Sequence, residues 1–107
     1  MIRGDVVSIV LQGDYGKPRP AVIIQSDLFS AHPSVTVLPI TSELTRTPLF
    51  RFNVEPTKDN GLQKISQAMI DKIHTVSKKR VGDVFGHLAA EQMVAINKSL
   101  AVFLGIV

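Results

Sequence analysis

The sequence predicts a mainly β domain, a small curved antiparallel sheet or barrel covered by one C-terminal helix. Three observations predict it. β-branched apolar runs recur through the first two thirds of the chain. Clusters rich in Gly, Pro, Asn and Asp separate those runs. Near residue 91 the apolar period changes to three and four, the spacing of a helix face. The 107 residues fit one domain, read as 1–107, and 45% hydrophobic residues are enough for a core.

Residues 6–11 are apolar at nearly every position, as in a strand buried on both faces. Gln12-Gly13-Asp14-Tyr15-Gly16-Lys17-Pro18 is a loop. Pro20 is expected to open the next strand, because proline cannot donate to a ladder, and that strand runs over residues 21–25. Ser26-Asp27 caps a short helical turn over residues 28–31, which His32-Pro33 ends. Residues 35–40 form a third strand.

Residues 41–47 form a polar loop closed by Pro48. Residues 49–54 alternate, with Leu49, Arg51 and Asn53 on one face and Phe50, Phe52 and Val54 on the other. Pro56 and Asp59-Asn60-Gly61 mark a turn cluster. Residues 63–70 and 72–76 read as two strands or one bent one, and Lys78-Lys79-Arg80 as a basic turn. Met93, Ile96, Leu100, Phe103, Leu104 and Val107 mark an amphipathic helix over residues 91–104, stopped by Gly105. Ala89 and Ala90 before it offer no side-chain cap.

Composition narrows the function classes. There is no cysteine, which removes disulfides and thiolate metal sites and makes a reducing cytoplasm the expected compartment. No apolar run is long enough to span a bilayer, and the first five residues lead into no signal-peptide h-region. No membrane role is therefore expected. The three histidines, His32, His74 and His87, are scattered, so no metal site or cofactor is expected. The formal net charge of +3 and pI near 9.5 lean towards a polyanionic partner. Tyr15 is the sole tyrosine, and the five phenylalanines read mostly as core, so no platform for stacking bases is evident.

Arg19 stands out. Pro18 and Pro20 hold the backbone on both sides of it, and Pro20 also keeps Arg19 out of the helical region. A permanently charged planar fork with a fixed launch point suits a phosphate. The alternative is an arginine that ties a loop to a carboxylate. Thr41-Ser42 ends the third strand, where hydroxyls either tighten a turn or hold a phosphate oxygen. Asp14, five positions before Arg19, is a turn aspartate, an ion-pair partner or a proton acceptor. Lys17 is less constrained and suits a neighbouring phosphate.

These residues resemble a known family. Arg3-Gly4-Asp5-Val6-Val7, Lys17-Pro18-Arg19-Pro20-Ala21-Val22-Ile23-Ile24 and Pro39-Ile40-Thr41-Ser42 look like the ribonuclease toxins of the PemK/MazF type. Residues 65–76 and Phe85-Gly86-His87-Leu88 resemble the later blocks, so the likeness covers nearly the whole chain. It implies an SH3-like barrel, homodimeric, and a toxin of a type II toxin–antitoxin pair. It implies metal-independent cleavage of single-stranded RNA by 2′-hydroxyl attack, without a cofactor, and an antitoxin protein as partner. Carried over, Arg19 and Thr41 are the catalytic pair and Asp14 takes the acidic place in the loop. Lys17, Ser42, Gln67, Asp71 and His74 become substrate contacts. Met69 stands where some members carry an arginine two residues before the aspartate, so that base–acid pair is incomplete here. The loop lacks the common Glu-Gln dipeptide, so base specificity does not transfer. The alternative is a DNA gyrase poison resembling CcdB, which acts by binding. The tail Phe103-Leu104-Gly105-Ile106 is similar to that class, but its tryptophan is replaced by Leu104 and it lacks the Arg-Pro motif.

Overall fold

The computed structural model describes residues 1–11, 13, 15–47 and 49–106. Seven strands are described: β1 (Asp5–Val10), β2 (Pro18–Ile23), β3 (Ser34–Thr41), β4 (Arg51–Val54), β5 (Ser66–Met69), β6 (His74–Ser77) and β7 (Val81–His87). One helix follows, α1 (Ala90–Leu104), and short 3-10 turns cover Asp27–Phe29, Ile70–Lys72 and Lys78–Arg80. The strand order is β4-β5-β3-β2-β1-β7, with β6 also paired to β3, and every pairing is antiparallel. The expected curved antiparallel sheet with a terminal helix is present.

Alternation along the central strands builds two cores, one on each face. Val6, Val22, Leu38 and Ile40 face a core completed by Val54, Ala68, Ile70 and Leu88, with Ile96 and Leu100 of α1 over it. Val7, Ile9, Ala21, Ile23, Val35 and Val37 face the other, with Val76. This explains why β1 reads as a continuous apolar run.

β3 decides the shape. Its start pairs with β6 from Ser34↔Ser77 to Val37↔His74. Its middle pairs with β2 from Val37↔Ile23 to Pro39↔Ala21. Its end leaves β2 and pairs with β5 at Ile40↔Ala68 and Thr41↔Gln67. Pro39, which has no N–H to give, stands at the change of partner. The strand thus bridges parts of the sheet that run apart beyond it.

Several expectations are corrected. Pro20 does not open β2; the strand begins at Pro18, with Val10↔Pro18, Ile9↔Arg19 and Ser8↔Pro20 in register. Alternate residues address opposite neighbours, so the two missing donors lie on one side. That is the side that tolerates them, since β2 meets β3 only over Ala21–Ile23. β2 ends before Gln25, where the Ile24 and Gln25 N–H groups both donate to Thr36 O and the Gln25 side chain adds bonds to β3. Its Oε1 accepts from Thr36 N–H at 3.0 Å and its Nε2 donates to Ser34 O at 3.2 Å.

The helical turn after Ser26 covers Asp27–Phe29, with Ser26 Oγ accepting from Leu28 N–H. The bend read between residues 63 and 76 is the 3-10 turn Ile70–Lys72. β7 is missing from the sequence reading. It is mostly exposed, carries Gly82 and Gly86, and pairs with β1 through two register shifts, so no period marks it. Gly86 is demanded by packing: a Cβ there would lie 2.3 Å from the Asn60 carbonyl carbon.

α1 starts at Ala90, one residue early, and its first turn is less bare than expected: Gln92 Oε1 accepts from Ala89 N–H at 2.9 Å. Arg3 ties the N-terminus to it, donating to Asn97 Oδ1 at 2.6 Å and Ile24 O at 2.7 Å. Only Ile96 and Leu100 of the helix are buried; Phe103 and Leu104 are exposed, and Val107 lies outside the described residues. No described helix is long and apolar enough to cross a membrane.

Candidate active site

Where β3 parts from β2, the sheet opens into a cleft of about 390 Å³. Arg19 and Pro20 of β2 line it, together with Ile40, Thr41, Ser42 and Glu43 from the end of β3 and the turn after it. Leu62, Gln63 and Lys64 close it from the side. The sheet therefore brings together two of the expected residues 22 positions apart in the chain, Arg19 and Thr41, with Ser42 beside them.

Each wall is held locally. Arg19 is an exposed side chain on a paired strand, so its backbone is fixed by the ladder to Ile9 as well as by its proline neighbours. Thr41 Oγ1 accepts from Glu43 N–H at 3.1 Å. That bond tightens the turn after β3 and leaves the hydroxyl proton to be donated. The loop beyond is clamped by Gln67. Its Oε1 accepts from Thr45 N–H at 3.1 Å, and its Nε2 donates to Thr45 O at 2.9 Å and Asn53 Oδ1 at 2.8 Å.

The side wall depends on Asn60, which is 1% exposed. Its Oδ1 accepts from Thr57 N–H and Leu62 N–H, both at 3.0 Å, and its Nδ2 donates to Glu55 O at 2.8 Å. Thr57 Oγ1 returns a bond by accepting from Asn60 N–H at 3.1 Å. His87 N–H, from β7, donates to Asp59 O at 2.8 Å. The turn is thus fastened to β7, and Leu62-Gln63-Lys64 is held in the lining of the cleft.

Among the described residues the charged lining is Arg19, Lys64 and Glu43. Such a lining can hold an anion through a guanidinium and a hydroxyl, and it carries a carboxylate able to take a proton. Among the described residues no three His, Asp or Glu side chains are grouped to hold a metal ion.

The other expected site residues fall elsewhere. Lys17 is exposed just before β2, and Asp14 lies outside the described residues. Gln67 is buried, its amide used by the loop clamp. Asp71 sits in the Ile70–Lys72 turn with Oδ1 3.2 Å from Arg51 Nε. The pair is close in charge but not aligned as a hydrogen bond. Arg51 stands opposite Met69 in the β4–β5 register, so the cation beside Asp71 comes from the neighbouring strand. His74 lines a separate depression with Thr75 and Arg80, and its Nδ1 lies 2.7 Å from Lys72 O.

Sequence reasoning missed Glu43, Leu62, Gln63 and Lys64. They lie in loops without periodicity, and Asn60-Gly61, a turn signal, was the sole hint of the wall. It also placed the phenylalanines wrongly: Phe50 and Phe52 are partly buried, while Phe29, Phe85 and Phe103 are exposed.

Known proteins resemble the chain along nearly its whole length. A family model described as the PemK-like, MazF-like toxin of type II toxin–antitoxin system matches residues 2–104. A probable endoribonuclease MazF from Mycolicibacterium smegmatis is 47% identical over 107 residues, covering 99% of this chain and 98% of that protein. Endoribonuclease EndoA from Bacillus subtilis is 28% identical over 110 residues, covering 98% and 95%. A mycobacterial endoribonuclease, solved in complex with its cognate antitoxin, superposes with a TM-score of 0.84 at 25% identity, covering 100% of this chain and 97% of that one. The Mycobacterium tuberculosis toxin MazF-mt6 shares the fold, with a TM-score of 0.81 at 24% identity, covering 94% and 96%. These likenesses favour the ribonuclease over the gyrase poison. The chain belongs to the PemK-like, MazF-like toxins of type II toxin–antitoxin systems.

Proposed function

We propose that this endoribonuclease cuts single-stranded RNA without a metal ion, at the cleft between Arg19 and Thr41. The observation that carries the reading is that Arg19 and Thr41, a guanidinium and a hydroxyl residue, line one cleft. The ribose 2′-oxygen attacks the adjacent phosphorus, the P–O5′ bond breaks, and a 2′,3′-cyclic phosphate and a 5′-hydroxyl result. Negative charge builds on the phosphoryl oxygens in the transition state, and preorganised donors stabilise it where water is displaced. Arg19 and Thr41 are those donors, with Ser42 beside them. The 2′-hydroxyl proton passes to a carboxylate, and the leaving 5′-oxygen takes a proton from water. Asp14 is the candidate carried by the resemblance, and Glu43 is the one the cleft supplies. Lys17 tracks a flanking phosphate. Gln67, Asp71 and His74 act outside the cleft, Gln67 by holding the wall.

The whole chain, 1–107, acts as one toxin domain in the cytoplasm. Its partners are a cognate antitoxin and a second copy of itself. The C-terminal helix supports the dimer: Val102, Phe103, Leu104 and Ile106 are about half or more exposed on a chain of 107 residues. An apolar surface of this kind is normally covered.

The test is incubation of the purified protein with a long single-stranded RNA in excess chelator, beside Arg19→Ala. The wild type should cut and leave cyclic-phosphate ends. The variant should lose about 10²–10³-fold in rate, the range for removing one transition-state donor. RNA left intact by the wild type, or cut equally by the variant, would overturn the reading.

A further inference from the structure

A second groove of about 420 Å³ joins the cleft. Arg19, Pro20, Leu62 and Gln63 line both, so the two are continuous. What distinguishes the second is Phe85 of β7 on its far side. We propose that this groove is a base subsite, in which one nucleobase adjoining the phosphate at Arg19 stacks on the Phe85 ring. The proposal rests on the ribonuclease reading above and adds to it a specificity-determining residue.

Phe85 is 41% exposed, although it lies on a strand next to β1. Its ring is nevertheless held in place. The backbone of Gly61, with φ of 69°, passes so close that a Cβ there would lie 2.8 Å from Phe85 Cδ2 and 2.4 Å from Phe85 O. Glycine at 61 therefore does two things: it permits the left-handed turn and lets the loop lie against the ring. The next residue, Leu62, is fixed through its N–H to Asn60 Oδ1. The groove thus has an apolar lining of Phe85 and Leu62, with Leu62 also packed against the core. A rigid ring loses little entropy when a flat ligand stacks on it.

The chemistry of the walls selects the occupant. A flat heteroaromatic ring gains from stacking on phenylalanine whatever its identity. Gln63, at the junction with the cleft, is exposed and offers an amide donor and acceptor to a base edge. Arg19 at the same junction suits an occupant that carries a phosphate close by. A nucleotide meets all three demands. An antitoxin side chain would meet the first without the third.

The experiment uses an oligonucleotide of about ten residues containing a cleavage site mapped on a long RNA. It is compared with the same strand made abasic at each position flanking the scissile phosphate. Wild type, Phe85→Ala, Phe85→Leu and Phe85→Tyr are assayed by kcat/KM. Phe85→Ala should lose roughly 5- to 150-fold on the full strand, the worth of one stacked base. At one flanking position the abasic strand should lose a similar factor with the wild type, and Phe85→Ala should then lose little more. Phe85→Tyr should keep the activity, and Phe85→Leu, which keeps apolar bulk, should not.

Additive losses at every position would overturn the subsite. So would a Phe85→Ala variant that loses antitoxin affinity alone. If the wild type cuts no RNA, the ribonuclease reading fails separately. The subsite is then decided by binding of fluorescein-labelled single-stranded DNA with and without the abasic position. A loss shared between Phe85→Ala and the abasic strand keeps it, and binding indifferent to Phe85, or none, ends it.

Discussion

Replacing Asn60 with alanine should destabilise the protein substantially. The side chain is 1% exposed and makes three hydrogen bonds, to Glu55 O, Thr57 N–H and Leu62 N–H. A net contribution near 1 kcal/mol for each gives about 3 kcal/mol. The turn lies at the surface, so water reaches some of the freed groups and the loss stops short of the full burial penalty. For a domain whose total stability is about 5–15 kcal/mol this is a large share. The assay is urea denaturation of both proteins at one protein concentration, followed by circular dichroism. The midpoint should fall with the slope unchanged. Amide exchange at Thr57 and Leu62 should speed up first, because these donors lose their acceptor directly. A stability loss below about 1 kcal/mol, with both amides still protected, would refute the account of the wall.

Three other outcomes are expected. Gly86→Ala should cost at least 1–3 kcal/mol by urea denaturation, since its Cβ would meet Asn60 backbone at 2.3 Å; unchanged stability would mean that β7 and the turn are not in contact. Thr41→Val should slow RNA cleavage about 10²-fold while Thr41→Ser retains most of it, measured as kcat/KM, because only the hydroxyl donor is at issue. Leu104→Glu should shift the protein from dimer to monomer in sedimentation equilibrium while leaving its circular dichroism unchanged, Leu104 being 54% exposed in the single chain.

Local sequence determined much of this protein. The β-branched apolar runs within residues 6–11, 21–25 and 35–40 marked three strands, and the spacing of Ile96 and Leu100 marked a helix face. Pro18 and Pro20 around Arg19 were readable as a fixed launch point, because proline acts on its own backbone. β7 was not readable, since an exposed edge strand with two glycines needs no pattern; its pairing comes from β1. The fates of Gln67, Asp71 and Phe85 were not readable either. Whether an amide reaches a substrate or a neighbouring loop, and whether a phenylalanine fills a core or faces a groove, depends on what the sheet sets opposite it. The cleft itself is the clearest case. Arg19 and Thr41 meet because β3 leaves β2 at Pro39 for a partner almost thirty residues further on. A change of pairing partner is a long-range choice that no local propensity encodes.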